Sequence, residues 1–418
     1  MDLTGECRKK KIITAARLLG RAVFSKDGMY EMKYSLSTEN EKWLQSVYPK
    51  LCAKMERECL RVGDMIPDLP EEGRYRTDMG KKDITCWING FWGGMMWQMY
   101  HATGKKIFLN SARSVEQKLD QAFDVYDGLH HDVGFMWLPT AVADYKMTGD
   151  RKARTRGLHA ANLLAGRYNP RAGFIRAWNP HMRGGKEEDC IGWMIVDSLM
   201  NLPVLYWAAE EARNPAYTYI AENHADKALQ YIMREDGSCN HIVVIDYENG
   251  EFLRVQEGQG YALDSAWSRG QAWAIYGFAV SAKYTKNLTY LAAAKRVSNY
   301  FIACTDKTGH ISACDFRAPQ KPFLSDTSAG VCAACGMLEI ADQLNGTERD
   351  FYIDSAVNIV RETEKRYGNW NMEEDGLLNG GRGSYHSGEP EEGRPMIFGD
   401  YYFVEAILRL MERYLPVW

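Results

Sequence analysis

The sequence predicts an all-α protein folded as an (α/α)6 barrel, a six-hairpin toroid, and three observations predict it. Apolar residues recur over long stretches with the 3.6-residue period of helices, while alternating strand patterns are scarce. Five short polar turns, "HATGKKIFL", "KMTGDRKAR", "EARNPAYTY", "KYTKNLTYL" and "QLNGTERDFY", each end one apolar segment and open another. Gly or Asn just past a helix end, followed by residues suited to a new first turn, is what a tight reversal requires. Finally, the helix ahead of each turn opens on a dense cluster of aromatic, glycine and acidic residues, and a sixth such cluster closes the chain.

Taken in order, residues 1–40 precede the periodic pattern and read as an N-terminal extension, too short for a domain of its own. The barrel then occupies 41–418. An amphipathic helix starting near Glu41 pairs with the richly apolar helix of "CWINGFWGGMMWQMY". The second inner helix follows "HHDVGFMWLPTA", where Asp132 stands at a position suited to a helix N-cap. The third is read from "GWMIVDSLMNLPVLYWA", Gly192 to Ala208, with Asp197 inside it and Pro203 as a local kink that frees the carbonyl of Leu199. The fourth follows "DSAWSRGQAWAIYGF" and the fifth "FLSDTSAGVCAACGM". Its Cys332 and Cys335 form a C-x-x-C in a small-residue helix with no second Cys or His pair nearby, which reads as close packing rather than zinc or redox chemistry. The sixth is "IFGDYYFVEAILRL". About twelve helices in six hairpins make a closed ring in which each repeat packs on its neighbours.

In such a ring the apolar helices lie inside, and their N-terminal ends share one face with the long loops that enter them. That face gathers Trp87, Trp92, His131, Asp132, Trp178, Trp193, Asp197, His241, Gln259, Trp267, Arg269, Trp273 and Tyr385. Aromatic platforms beside carboxylates and amides suit a sugar, whose CH faces stack on rings while its hydroxyls take directional partners. With 12 Trp and 24 Tyr in the chain, any one of these rings is as readily core, and Arg269 could simply pair with an acid such as Asp264; the convergence on one face carries the reading. Asp197 stands out. With Trp193, Met194, Met200 and Asn201 around it, desolvation is expected to raise its pKa and make it a proton donor near neutral pH, and a neighbouring Asp132 would push the two titrations further apart.

Composition excludes several classes. A net charge of -4 with interspersed signs gives no basic stripe, so no nucleic-acid partner is expected. Arg17 and Arg21 interrupt the first candidate apolar run and no later run approaches membrane length, so a soluble, cytoplasmic protein is expected, with no membrane partner. Ten scattered cysteines fit a reducing compartment. No metal-ligand cluster and no phosphate-cradling loop is read; "GGRGSYHSG" lacks the lysine and strand context of a P-loop and reads as a flexible lid. No cofactor is expected, and the protein is taken as a monomer or homodimer.

Four segments, "HHDVGFMW", "IVDSLMNLPVLYWA", "GQGYALDSAWSRGQAWAIYGF" and "FGDYYFVEAILRL", resemble glycoside hydrolase family 88, the unsaturated glucuronyl hydrolases, and the likeness runs from about Glu41 to the C-terminus. The resemblance implies a substrate left by polysaccharide lyases, an oligosaccharide whose non-reducing uronic acid carries a C4=C5 double bond. An aspartic acid protonates C4, water adds at C5, and the hemiketal so formed opens with loss of the glycosidic bond. It assigns the acid/base to Asp197 and the second essential aspartate to Asp132. His241, Gln259, Arg269 and Trp273 are implied around the unsaturated ring, with Arg269 and Gln259 suited to its carboxylate, Trp87, His131, Trp178 and Tyr385 line the cleft, and Trp267 from the shared face is taken with them as substrate-binding. Two departures bear on specificity. Gln256-Glu257-Gly258 stands where members commonly carry a His, and "SYHSGE" supplies Ser384 and Ser387 of a sulfate-associated S-x-x-S-x-K pattern but has Glu389 in place of its lysine, with Arg382 and Arg394 as candidate compensation. Hydration of unsaturated rhamnogalacturonan fragments, an epimerase using His131 and His241, and a non-catalytic sugar-binding protein are the competing readings.

Overall fold

The computed structural model describes residues 33–180 and 190–418. Residues 1–32 of the expected N-terminal extension lie outside them. The first helix among the described residues, α1 (Thr38–Val62), opens slightly ahead of Glu41 because the Ser37 hydroxyl accepts from Asn40 N and closes the first turn.

The helices alternate as expected. The inner ring is α2 (Asn89–Thr103), α4 (Val133–Trp137) with its continuation α5 (Ala143–Thr148), α7 (Pro203–Ala212), α9 (Ser268–Thr285), α11 (Thr327–Ala341) and α13 (Ile397–Leu410). The outer ring is α1, α3 (Lys106–Leu119), α6 (Arg151–Ala165), α8 (Ala216–Tyr231), α10 (Leu288–Thr305) and α12 (Gly346–Tyr367). Contacts run from α2 through the α4–α5 region, α7, α9, α11 and α13 back to α2, which closes the (α/α)6 barrel. The division follows from composition: every residue of α11 and of α13 is buried, whereas α3 buries one stripe and leaves its lysines outside.

Each tight turn joins an inner helix to the next outer one. Gly104 and Gly149 take the left-handed conformation that ends α2 and α5. At the third and fourth turns that conformation falls on Arg213 and Lys286 rather than on the Asn that follows each. Asn214 and Asn287 instead turn their side chains forward to Ala216 N and Thr289 N, serving the start of the next helix.

Two inner elements depart from the expected continuous helix. Between α4 and α5 a π-helical segment, Leu138–Val142, accommodates Pro139, whose missing N–H breaks the regular ladder. The third inner element is the larger correction. Trp193–Ile195 is a strand, β1, paired antiparallel with β2 (Ile242–Ile245), which pairs in turn with β3 (Phe252–Gln256). A 3-10 turn, Val196–Met200, carries Asp197, and the α-helix starts only at Pro203. Pro203 opens that helix at its first position, where an N–H is not needed, instead of kinking it. A continuous apolar run does not by itself distinguish helix from buried strand, and here the strand wins over the first turns.

The two ends of the barrel differ. At the end where the inner helices finish, residues 415–418 fold in as a plug: Trp418 stacks on Tyr402 and donates from Nε1 to Glu405 Oε2 at 2.8 Å. At the other end the long loops leave a cavity.

Candidate active site

The cavity, about 200 Å³, is lined by Trp87, His130, Asp132, Trp178, Asp197, Gln259, Trp267 and Arg269. Seven of these eight were expected from sequence, and His130 is the addition. Its place beside two candidate residues in "HHD" was the available signal.

Asp132 and Asp197 come from neighbouring inner elements. Asp132 is the residue before α4, and its carboxylate, rather than capping the helix, turns into the site: no side-chain cap bond forms, and Oδ1 accepts from Asn201 Nδ2 at 2.8 Å. Its Oδ2 lies 3.5 Å from His130 Nδ1 and 3.4 Å from His131 Nε2. Burial pushes the Asp132 carboxyl well above the usual carboxylate range and the nearby charge of Asp197 pushes it further, while Asn201 and Arg167 pull the other way. Burial also drives His130 down to about 3 and His131 well below the ordinary imidazole value, so both rings are neutral. His131 is fully buried, its Nδ1 2.7 Å from Ser198 Oγ. It supports Asp132 from behind rather than facing the cavity. The donor atoms of His130, His131 and Asp132 lie within 4.8 Å of one another, and this group is where the site could hold a cation.

Asp197 sits on the 3-10 turn, not inside an apolar helix. Its side chain is 15% exposed and Oδ2 lies 3.5 Å from His241 Nε2. Gln259 N donates to His241 Nδ1 at 2.9 Å, so the neutral ring carries its proton on Nε2, toward Asp197. The ring rests on Trp267, centroids 4.4 Å apart. Gly258 makes this possible, since a Cβ there would lie 1.8 Å from His241 Nδ1.

Other expected residues fall elsewhere. Trp273 is a floor residue, buried against Phe135 and Tyr402 beneath the cavity. Trp92 points outward and donates to Ser111 Oγ at 3.3 Å, and Trp193 lies behind Trp178 in the small sheet. Arg269 reaches the cavity but pairs with Asp326, not Asp264, and its guanidinium lies over Trp267 and Phe398. Its Nη2 and Gln259 Nε2 both donate to Gly383 O, so the two donors expected to hold a carboxylate also fasten a loop.

That loop is the glycine-rich segment read as a flexible lid, and here it is strapped down. Gly380 O accepts from Thr327 N and Ser325 Oγ, Gly381 pairs with Arg394, and Tyr385 N donates to Gln259 O at 2.8 Å. Tyr385 packs edge-on against Tyr261 at the rim. Ser384 and Ser387 bond to each other within their own turn, Ser387 Oγ donating to Ser384 O at 2.6 Å. Arg382 is buried and donates from Nη1 and Nη2 to the carbonyls of Glu389, Pro390 and Glu391, so it is fastened to the loop backbone rather than hydrogen-bonded to the Glu389 carboxylate.

Two carboxylates facing a tryptophan-walled cavity at the mouth of an (α/α)6 barrel suit a carbohydrate-active enzyme. The family model described as Glycosyl Hydrolase Family 88 matches residues 61–312, and the chain belongs to that family. It is 37% identical over 370 residues to the unsaturated glucuronyl hydrolase of Bacillus sp. (strain GL1), covering 87% of this chain and 95% of that protein. The crystal structure of the Bacillus sp. GL1 enzyme aligns with TM-score 0.81 at 34% identity over 88% of this chain and 96% of that one. A mutant unsaturated glucuronyl hydrolase of Streptococcus agalactiae complexed with dGlcA-GalNAc6S aligns with TM-score 0.74 at 27% identity over 92% and 95%.

Proposed function

We propose that this family 88 glycoside hydrolase removes the 4,5-unsaturated uronic acid from the non-reducing end of lyase-generated glycosaminoglycan disaccharides, by hydrating its vinyl ether. The observation that carries the reading is the Asp197 carboxyl, which lines the cavity with the proton-bearing Nε2 of His241 behind one oxygen. Asp197 delivers a proton to C4, water adds at C5 and gives its proton back to the Asp197 carboxylate, and the hemiketal opens with release of the aglycone. His241 keeps Asp197 oriented. Asp132 accepts from sugar hydroxyls, Trp87 and Trp178 stack on the rings, and Arg269 is the cation nearest to hand for the uronate carboxylate.

The rival readings fare worse on particular residues. An epimerase using His131 and His241 needs both rings at the substrate, and His131 is sealed beneath Asp132. Among disaccharides, unsulfated ones are favoured: Glu389 keeps its acid at the loop, with Oε1 accepting from Gly383 N at 3.2 Å, and an anion there repels sulfate. We place the enzyme in the cytoplasm as a monomer or homodimer. The ten cysteines are scattered along the chain, which fits a reducing compartment, and no helix among the described residues is long and apolar enough to cross a membrane.

The test follows ultraviolet absorbance of unsaturated chondroitin and hyaluronan disaccharides, because hydration destroys the conjugated chromophore. Absorbance should fall with the wild type and not with Asp197→Asn. Turnover by Asp197→Asn would remove Asp197 from the acid role; inertness of the wild type on every glycosaminoglycan disaccharide, with turnover of pectin-derived fragments, would move the substrate to the rhamnogalacturonan class.

A further inference from the structure

Asn201 is buried completely and touches three things at once. Its Oδ1 accepts from Phe135 N at 2.9 Å, in the first turn of α4. Its Nδ2 donates to Asp132 Oδ1 at 2.8 Å and to the Asp197 carbonyl at 3.2 Å. The orientation of the amide is not free, because a backbone N–H can only donate: Phe135 N fixes the oxygen, and the nitrogen must then face Asp132. Gly134 is part of the same fitting. A Cβ at that position would lie 2.6 Å from Asn201 Oδ1 and 2.7 Å from its Cα, so the start of α4 can approach the 3-10 turn this closely only without a side chain.

We propose that Asn201 is a positioning residue for the reaction: a single side-chain amide that ties the turn carrying Asp197 to the helix start carrying Asp132, and keeps Asp132 Oδ1 engaged so that its Oδ2 faces substrate and the two imidazoles. The inference rests on the assignment of Asp197 and Asp132 given above. The amide is the neutral donor that reaches Asp132 from the adjoining inner element. His130 and His131 stand on Asp132's own turn, Asp197 and behind it His241 lie across the cavity, and Arg167 acts from beyond α6.

Two variants test it by steady-state kinetics, with thermal melts to confirm folding. Asn201→Asp keeps the size and the bond from Phe135 N, but places an oxygen against Asp132 Oδ1. The new pair needs one shared proton to do what the amide did. The alkaline limb of its kcat profile should therefore move to lower pH while activity at acid pH is kept. Asn201→Ala removes the donor at every pH, and loss of alignment should lower kcat by about 10²-fold with a smaller change in KM. An Asn201→Asp enzyme with the wild-type pH profile overturns the proposal, as does an Asn201→Ala enzyme that folds and keeps wild-type kcat. Where Asn201→Ala does not fold, Asn201→Asp decides. Asp197→Asn in the same series separates the two levels: turnover by that variant sinks the assignment of the acid, whereas an inactive Asp197→Asn beside an Asn201→Asp that titrates like the wild type sinks the role of Asn201 alone.

Discussion

At the closed end of the barrel, Arg409 donates from Nε to Glu405 Oε1 at 2.9 Å and from Nη2 to Glu339 Oε2 at 2.9 Å, and Lys283 lies 3.2 Å from the other Glu339 oxygen. Against burial, which acts to raise it, these two cations hold the Glu339 carboxyl down at about 2. At the open end Asp132 is buried as deeply, but its contacts are two neutral imidazoles and an amide, and its carboxyl is pushed up instead. A buried acid beside a cation is locked as an anion and becomes structure. Beside neutral donors the same acid keeps a proton that can be exchanged, and this is what a site needs.

The largest expected effect separates the two ends by function. Asp132→Asn should lower kcat/KM by about two to four orders of magnitude, the range for loss of a group acting at the reacting centre. Its melting temperature should stay level or rise, because the variant no longer buries an ionisable group with no cation in contact. A drop in melting temperature matching the loss of activity would make Asp132 a structural acid and erase the contrast.

Next in size is the reverse experiment. Arg409→Met leaves Glu339 and Glu405 buried without their shared cation, and breaking a buried pair in this way costs about 3–5 kcal/mol. Chemical denaturation should show that loss, while kcat/KM at a temperature where the variant is folded stays near wild type. Comparable loss of activity in the folded variant would mean that the closed end communicates with the mouth.

A third experiment uses pH to sharpen the same contrast. Asp132 has a folded pKa above its unfolded value, so its contribution to stability is fully present below the unfolded value, about 3.9, and is lost as pH rises toward the folded one. Glu339 runs the other way: its contribution is present above its unfolded value and is lost only as pH falls through about 2. Over the interval from about pH 5 up to the raised folded pKa of Asp132 the closed end is therefore flat and the mouth is not. The melting temperature of Asp132→Asn should gain on that of the wild type as pH rises over this interval. A constant difference would show that Asp132 carries no raised pKa.

The contrast also marks what could be read without coordinates. The ring was legible because the opening clusters repeat six times and the turn residues five, on one helix period, and repetition survives local ambiguity. The site was legible as a set, since inner-helix starts must share a face. Local geometry around Asp197 was not. "GWMIVDSLM" is apolar but for Asp197 and Ser198, and β1 exists because Trp193–Ile195 pairs with Val244–Ile242, a partner some fifty residues away in sequence. A hairpin signal for that partner was present, Asn249-Gly250 between "HIVVI" and "EFLRVQ", but the helical period of the rest of the chain outweighed it. The Arg269–Asp326 pair and the Asn201 tie were hidden for the same reason, since each joins residues that only the closed ring brings together.

The smallest effect is expected at the rim. Ser384 and Ser387 were read as substrate ligands, yet Ser387 Oγ donates to Ser384 O at 2.6 Å and Ser384 N points back at Ser387 Oγ. Ser387 is exposed and Ser384 half-buried, and the pair shapes its own turn. Removing one exposed hydrogen bond is worth at most about 1 kcal/mol, so Ser387→Ala should change kcat/KM on an unsulfated disaccharide by less than about fivefold. The same variant assayed on a 6-sulfated disaccharide asks more. If the turn only shapes the rim, the ratio of the two rates stays put; a selective fall on the sulfated substrate would show that Ser387 leaves its turn to meet sulfate, and that the rim, unlike the strapped backbone behind it, rearranges when substrate arrives.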